Sequence, residues 1–215
     1  MKKTFYSVLV MTLGLTACDK DSKDLKEEVP PILVQATMTR TLDFTILGTK
    51  NDTTYTNKTR IKATARFGDD APLMGAEKNI FLLSIDAGPA SGETGAGDFV
   101  QFAIEPTKLS AGYVGTYRLD SQSDPLVKHI RYAYIKNSET GGYSASLAGT
   151  NMGNPMTGEL IITHYDAVHN TLSGTYAIAG KLYSDPVNYS RVTRLDDECD
   201  LTVAGTFTNV KIKQN

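Results

Sequence analysis

Residues 158–178 have the sequence GELIITHYDAVHNTLSGTYAI, which lies in the part of the chain where the strand pattern is clearest. Residues 158–165 and 171–178 are rich in β-branched and aromatic side chains, which strands favour. The five residues between them begin with Asp166 and end with Asn170, two residue types that form Asx turns. The sequence therefore predicts an antiparallel β-hairpin with its turn at residues 166–170.

The same pattern continues outward from this hairpin to most of the chain. Apolar and polar residues alternate in several further runs, and turn-forming pairs such as Gly141-Gly142 separate them. The runs lie at residues 41–46, 61–67, 79–86, 99–104, 129–136 and 201–212. Residues 107–111 are the one further helix candidate, and they are too short to matter. We therefore expect residues 32–215 to form a single all-β domain, an antiparallel β-sandwich or alternatively a β-barrel-like fold.

A Gly-Thr-aromatic triplet occurs three times, beginning at Gly115, Gly174 and Gly205. Glycine inside a strand usually marks a β-bulge or a close approach of another backbone. We expect the aromatic residue of the last triplet, Phe207, to lie in the core. In a regular strand Phe207 and Val210 would face opposite sides, unless a bulge near Gly205 resets the alternation.

The N-terminus has the features of a secretory signal. Lys2 and Lys3 precede an apolar stretch at residues 5–15, which is shorter than the roughly 20 residues that a membrane-spanning helix needs. It ends in Leu15-Thr16-Ala17-Cys18, which resembles the lipobox of bacterial lipoproteins. This resemblance implies a signal peptide at residues 1–17, cleavage between Ala17 and Cys18, and thioether-linked lipid on Cys18. Several fatty acyl chains, palmitate among them, would hold the protein stably in a membrane.

Residues 18–31 are charged and end in Pro30-Pro31, which predicts a flexible tether. Acidic and lysine-rich segments after the lipidated cysteine resemble the surface-export signals of Bacteroidota lipoproteins. The expected location is therefore the outer membrane. The sequence does not distinguish its cell-surface side from its periplasmic side.

A wider resemblance covers about residues 35–213 and is specific in the last third. That third is similar to the C-terminal signature of a Bacteroidota lipoprotein family of unknown function, Gly-x-Leu-x-Ile-Thr, then Ser-Gly-Thr-aromatic, then Gly-x-Phe-x-x-Val. The matching residues are Gly158, Leu160, Ile162, Thr163, Asp166, Ser173, Gly174, Thr175, Tyr176, Gly205, Phe207 and Val210. The family implies a β-sandwich lipoprotein and no known activity, so it transfers no catalytic residue.

Composition limits the classes of function. The chain has 215 residues and a formal net charge of −2, which disfavours an electrostatic nucleic-acid binder. Its 2 cysteines cannot form a disulfide-dense scaffold, and one of them belongs to the lipobox. The absence of tryptophan from the sequence weighs against an aromatic carbohydrate platform.

Few residues suggest chemistry. The three histidines, His129, His164 and His169, are too scattered in sequence for a zinc site, so no metal and no cofactor is expected. Residues 196–200 form an acidic loop around Cys199, but they lack the spacing of a calcium loop. The surrounding carboxylates disfavour a reactive Cys199 thiolate.

Tyrosine is the remaining candidate for ligand contact. Five tyrosines could line a ligand surface, or they could be core and cross-strand residues. They are Tyr113, Tyr117, Tyr132, Tyr134 and Tyr143. The sequence thus predicts a lipid-anchored module that is not an enzyme and acts in binding or structure, with an unknown glycan or protein ligand. The alternative is a hydrolase-type enzyme on a β scaffold.

Overall fold

The computed structural model describes residues 32–46, 49–57, 61–68, 79–88, 95–120, 128–137, 143–149, 156–182 and 199–213. Nearly all of these residues lie in strands. The strands are β1 (Gln35–Ala36), β2 (Met38–Ile46), β3 (Thr49–Asn57), β4 (Lys62–Gly68), β5 (Ile80–Asp86), β6 (Gly95–Ile104), β7 (Gly115–Asp120), β8 (Lys128–Asn137), β9 (Tyr143–Gly149), β10 (Met156–Asp166), β11 (Thr171–Leu182) and β12 (Cys199–Lys213). The all-β prediction is confirmed. A short 3-10 helix at Pro106–Lys108 overlaps the helix candidate at residues 107–111.

The strands form two layers that share β12. The first layer has the order β7-β10-β11-β12-β2-β3, with β1 also beside β12, and the second has the order β4-β5-β6-β8-β9. The end of β12 joins the layers by pairing in parallel with β4, where Ile212 faces Ala65. The other described pairings are antiparallel. Because β12 pairs with strands of both layers, the two layers are parts of one open mixed sheet.

The core lies between the two layers. Phe102 from the second layer and Tyr176 from the first meet edge to face, with ring centroids 5.7 Å apart. Ile130, Tyr132 and Tyr134 all point into this core from one side of β8, as their period-2 spacing requires. A second, small buried cluster lies on the opposite side of the second layer and consists of Ile80, Leu82 and Ala103.

The predicted hairpin of β10 and β11 is confirmed, and its continuation into β12 explains the two Gly-Thr-aromatic triplets that begin at Gly174 and Gly205. In the register, Gly174 faces Phe207 and Tyr176 faces Gly205. A Cβ on Gly174 would lie 2.8 Å from the Phe207 ring and would clash with the carbonyl oxygen of Ile161. The rings of Phe207 and Tyr176 therefore each cover the glycine of the neighbouring strand, and these two glycines mark close approaches.

The bulge in β12 occurs at Asn209 instead of Gly205. Leu172 faces Val210 and Gly174 faces Phe207, so the single residue Ser173 opposes both Thr208 and Asn209. Asn209 has a φ of 57°, and its N–H donates to the Ser173 hydroxyl at 3.0 Å. The extra residue brings Phe207 and Val210 to the same buried side, so the strand is not regular, and Phe207 lies in the core as expected.

Candidate functional site

The predicted lipid site, Ala17 and Cys18, lies outside the described residues, as do the signal peptide at 1–17 and the tether at 18–31. Within the part of the chain that the structure describes, no helix is long and apolar enough to cross a membrane.

The three histidines are not brought together. His129 is buried in β8, His164 is exposed on β10, and His169 lies in the β10–β11 turn beside Asp166. The described residues contain no group of three or more His, Cys, Asp or Glu side chains placed to hold a metal ion.

The acidic loop is described only at its end. Residues 196–198 lie outside the described part, whereas Cys199 and Asp200 begin β12. Cys199 is buried in the core, so its thiol is out of reach of a substrate in the folded protein. The Asp200 carboxylate lies 3.5 Å from the Lys181 ammonium on the solvent side.

The four tyrosines whose side chains the structure describes do not form a ligand surface. Tyr117, Tyr132 and Tyr134 are core residues, which agrees with the alternative interpretation of their spacing. Tyr113 is half-buried, and the side chain of Tyr143 lies outside the description.

An ion pair crosses the core, and sequence reasoning missed it. The Nε of Arg40 in β2 lies 2.9 Å from the Oδ1 of Asp98 in β6, and both side chains are buried. The Tyr132 hydroxyl donates to the same Oδ1 at 2.7 Å, and the Arg40 guanidinium lies 5.0 Å from the centre of the Tyr134 ring. The group connects the two layers through one carboxylate.

Burial sets the electrostatics of this group. Desolvation raises the pKa of Asp98 above its ordinary value, against the opposing effects of Arg40 and the Tyr132 hydrogen bond. Burial also raises the pKa of Tyr132 well above its ordinary value, helped by the nearby Asp98 charge. Because burial and the Asp98 charge both raise the pKa of Tyr132, its hydroxyl stays protonated. It can therefore donate a hydrogen bond that holds the Asp98 carboxylate in place.

A signal for this ion pair exists in the sequence. Arg40 has the same strand parity as Met38 and Leu42, and Asp98 has the same parity as Val100 and Phe102. Opposite charges at inward-facing positions of two strands indicate a buried pair, since an unpaired buried charge is costly.

A second polar group organises the β10–β11 turn. The Asp166 carboxylate accepts hydrogen bonds from the N–H groups of Val168 and His169, and its Oδ2 lies 2.5 Å from His169 Nδ1. Hydrogen bonds from His169 lower the pKa of Asp166. The arrangement is an Asx turn, and the hydrogen bonds of the Asp166 and His169 side chains stabilise the hairpin.

A half-buried aromatic group lies beside this turn. Tyr113, which precedes β7, has a φ of 64° and packs its ring 4.8 Å from that of Tyr165 and 6.1 Å from that of Phe81. Its carbonyl oxygen accepts a hydrogen bond from the Tyr117 hydroxyl at 2.5 Å. A positive φ is rare for a bulky residue, and these contacts hold Tyr113 in it.

A broad, shallow groove of about 660 Å³ runs over the outer face of the first layer, across β7, β10, β11 and β12. Small side chains form its floor, and the exposed ones are Thr157, Ala177, Ala179, Thr202 and Ala204. At one side Arg118 Nε lies 3.3 Å from Glu159 Oε1. Because Arg118 is largely exposed, its remaining donors face solvent at the groove's edge.

No protein-family model matches the chain, and no significant similarity to curated proteins or to solved structures is found.

Proposed function

We propose that the protein is a lipid-anchored lipoprotein of the outer membrane that serves as a binding or structural module without catalysis. Its lipobox cysteine, Cys18, carries the lipid, and residues 18–31 connect the lipid to the β domain. The resemblance of residues 158–212 to a Bacteroidota lipoprotein signature supports the same assignment. The membrane is then a partner through the N-terminal lipid.

The groove on the first layer is the observation that carries the binding role. Its floor is built on the hydrogen-bonded ladders of four strands, so it is rigid before any partner arrives. A preformed site loses little conformational freedom on binding. Its open shape and small side chains suit an elongated partner, a glycan or a peptide segment, with Arg118 and Glu159 offering charge and hydrogen bonds at one side.

The polar clusters described above support a structural interpretation of the rest of the domain. The Asp98 carboxylate contacts Arg40 and Tyr132 between the layers, and Asp166 and His169 close a turn. A hydrolase would need convergent polar groups within a concave pocket. The groove's paired Arg118 and Glu159 point to recognition, so binding is the function we favour.

Metabolic labelling with a clickable fatty acid tests the anchor. Wild type and Cys199→Ala should both take up the label, whereas Cys18→Ala should remain unlabelled and keep its signal peptide. Cys199→Ala is the matched control because it removes the other cysteine in the sequence. Label retained by Cys18→Ala would refute the anchor.

Arrays of bacterial and host glycans and of peptides test the groove. Binding seen with the wild type should be lost in Ala177→Arg, which places a long charged side chain on the groove floor. Thr208→Arg is the control, since Thr208 is exposed on β12 but does not line the groove. Equal loss in both variants, or none in either, would contradict the assignment of the groove. Turnover of an array compound would favour the hydrolase alternative.

A further inference from the structure

One end of the domain, here called the tip, consists of residues 32–34, 108–114, 167–170 and 211–213. The β10–β11 turn lies there, and β12 ends there because it runs antiparallel to β11. Both β7 and β1 begin there, because β7 is antiparallel to β10 and β1 is antiparallel to β12. Strand directions alone therefore gather these four segments.

Direct contacts confirm that the segments are neighbours. The backbone of Asn170 accepts a hydrogen bond from the Ile212 N–H at 2.9 Å, and the Asn170 side chain donates to the Ile212 carbonyl at 3.0 Å. The Asn209 side chain donates to the carbonyl of Leu33 at 3.3 Å. The contact of the Tyr113 and Tyr165 rings ties the segment before β7 to the same turn.

The tip carries every large hydrophobic side chain that is exposed among the described residues. Val168 is 87% exposed, Leu33 68%, Val114 46% and Val34 45%. Single exposed hydrophobic residues scattered over a surface are ordinary. Here all four belong to neighbouring segments at one end, which indicates an interaction surface.

Among the described residues of the tip, the exposed charged side chains are lysines. Lys108, Lys211 and Lys213 are exposed, whereas the nearby Asp166 carboxylate is engaged by His169 and by two backbone N–H groups of the turn. Glu105, just before this segment, is half-buried. Exposed lysines around exposed valines suit a surface of anionic lipid headgroups over an apolar interior.

The chain preceding Ile32 also joins the domain at the tip, next to Leu33 and Val34. We propose that the tip is a membrane-contacting surface, which rests against the lipid bilayer in which Cys18 is anchored. This inference rests on the proposed anchor, because tethering raises the effective concentration of the bilayer at the tip far above that seen by a free domain. The domain then lies with its tip on the lipid, and the groove faces sideways, accessible to a partner.

Site-specific fluorescence tests this orientation. The full chain carrying Val168→Cys is extracted from membranes, labelled with the environment-sensitive dye NBD, and reconstituted with vesicles of equal parts phosphatidylethanolamine and phosphatidylglycerol. Thr202→Cys, on the exposed floor of the groove, is the matched control. Buried Cys199 and lipidated Cys18 should not take the dye, and labelling of the unaltered chain measures any background.

The expected result is a blue shift of the NBD emission at position 168 and no shift at position 202. Doxyl lipids in the vesicles should quench the emission intensity at position 168. Vesicles of phosphatidylcholine alone should give a smaller shift, since the lysines then lack anionic partners. No shift at position 168, an equal shift at 202, or a shift at 168 without vesicles would overturn the proposal. The last outcome would mean that a second copy of the chain covers the tip.

The clickable fatty-acid label, measured on the same preparation, decides the anchor separately. A labelled protein without a shift at position 168 refutes the membrane-contacting tip and leaves the anchor intact. An unlabelled protein with that shift refutes the anchor and supports the tip.

Discussion

Replacing Phe207 with alanine should destabilise the β domain by about 3–5 kcal/mol, the range found for removing a large aromatic side chain from a core. Phe207 is 1% exposed, and its ring lies over Gly174 of the neighbouring strand. The substitution removes the ring's buried surface, and Gly174 has no side chain that could move into the cavity. The cost should therefore fall within that range, well above the effect of an ordinary surface substitution.

Urea unfolding of a soluble form that begins at Val29 measures this cost. Far-ultraviolet circular dichroism or tyrosine fluorescence reports the transition, since the sequence contains no tryptophan. The midpoint of Phe207→Ala should fall with an unchanged m-value. In a domain of this size the melting temperature should drop by about 6–20 °C.

Thr208→Ala is the matched control, because Thr208 follows Phe207 in β12 and is exposed. Its effect should stay within about 0.5 kcal/mol. If the two variants shift the urea midpoint equally, Phe207 does not lie in the core and the packing of β11 against β12 is refuted.

Two further predictions concern charged groups. Arg40→Met should destabilise the domain by about 3–5 kcal/mol at neutral pH, because it leaves the Asp98 carboxylate buried without its cation. Urea unfolding should show this deficit shrinking as the pH falls and Asp98 takes up a proton, and adding Asp98→Asn should restore most of the loss; a pH-independent deficit would contradict this account. For Asp166, whose pKa is lowered by His169, the folded state binds a proton less readily than the unfolded state. The stability advantage of wild type over Asp166→Asn should therefore be present above pH 3.8 and disappear as the pH falls through the folded pKa; an advantage that grows in acid would reverse the assigned direction.

Local patterns in the sequence predict much of the fold. The hairpin of β10 and β11 is encoded in adjacent residues, and the turn at Asp166 needs only its own Asx geometry. The common face of Tyr132 and Tyr134 follows from the period of a strand. The sequence suggests a bulge at Gly205, whereas the bulge lies at Asn209, and asparagine is one of the few residues that readily adopt a positive φ.

The polar and apolar surfaces depend on contacts between distant parts of the chain. The pairing of Arg40 with Asp98 requires two layers whose relative position no short segment specifies. The exposure of Val168 and Leu33 follows from where the turn and the start of β1 meet, and hydropathy alone does not distinguish them from core residues. The groove likewise arises from residues on four strands.

Mass spectrometry of the N-terminal peptide, from protein extracted from its own membranes, tests the lipid anchor itself. We expect a peptide that begins at Cys18 and carries a diacylglycerol thioether and an acylated amine. A peptide that begins at Met1, or one with an unmodified Cys18, would contradict it.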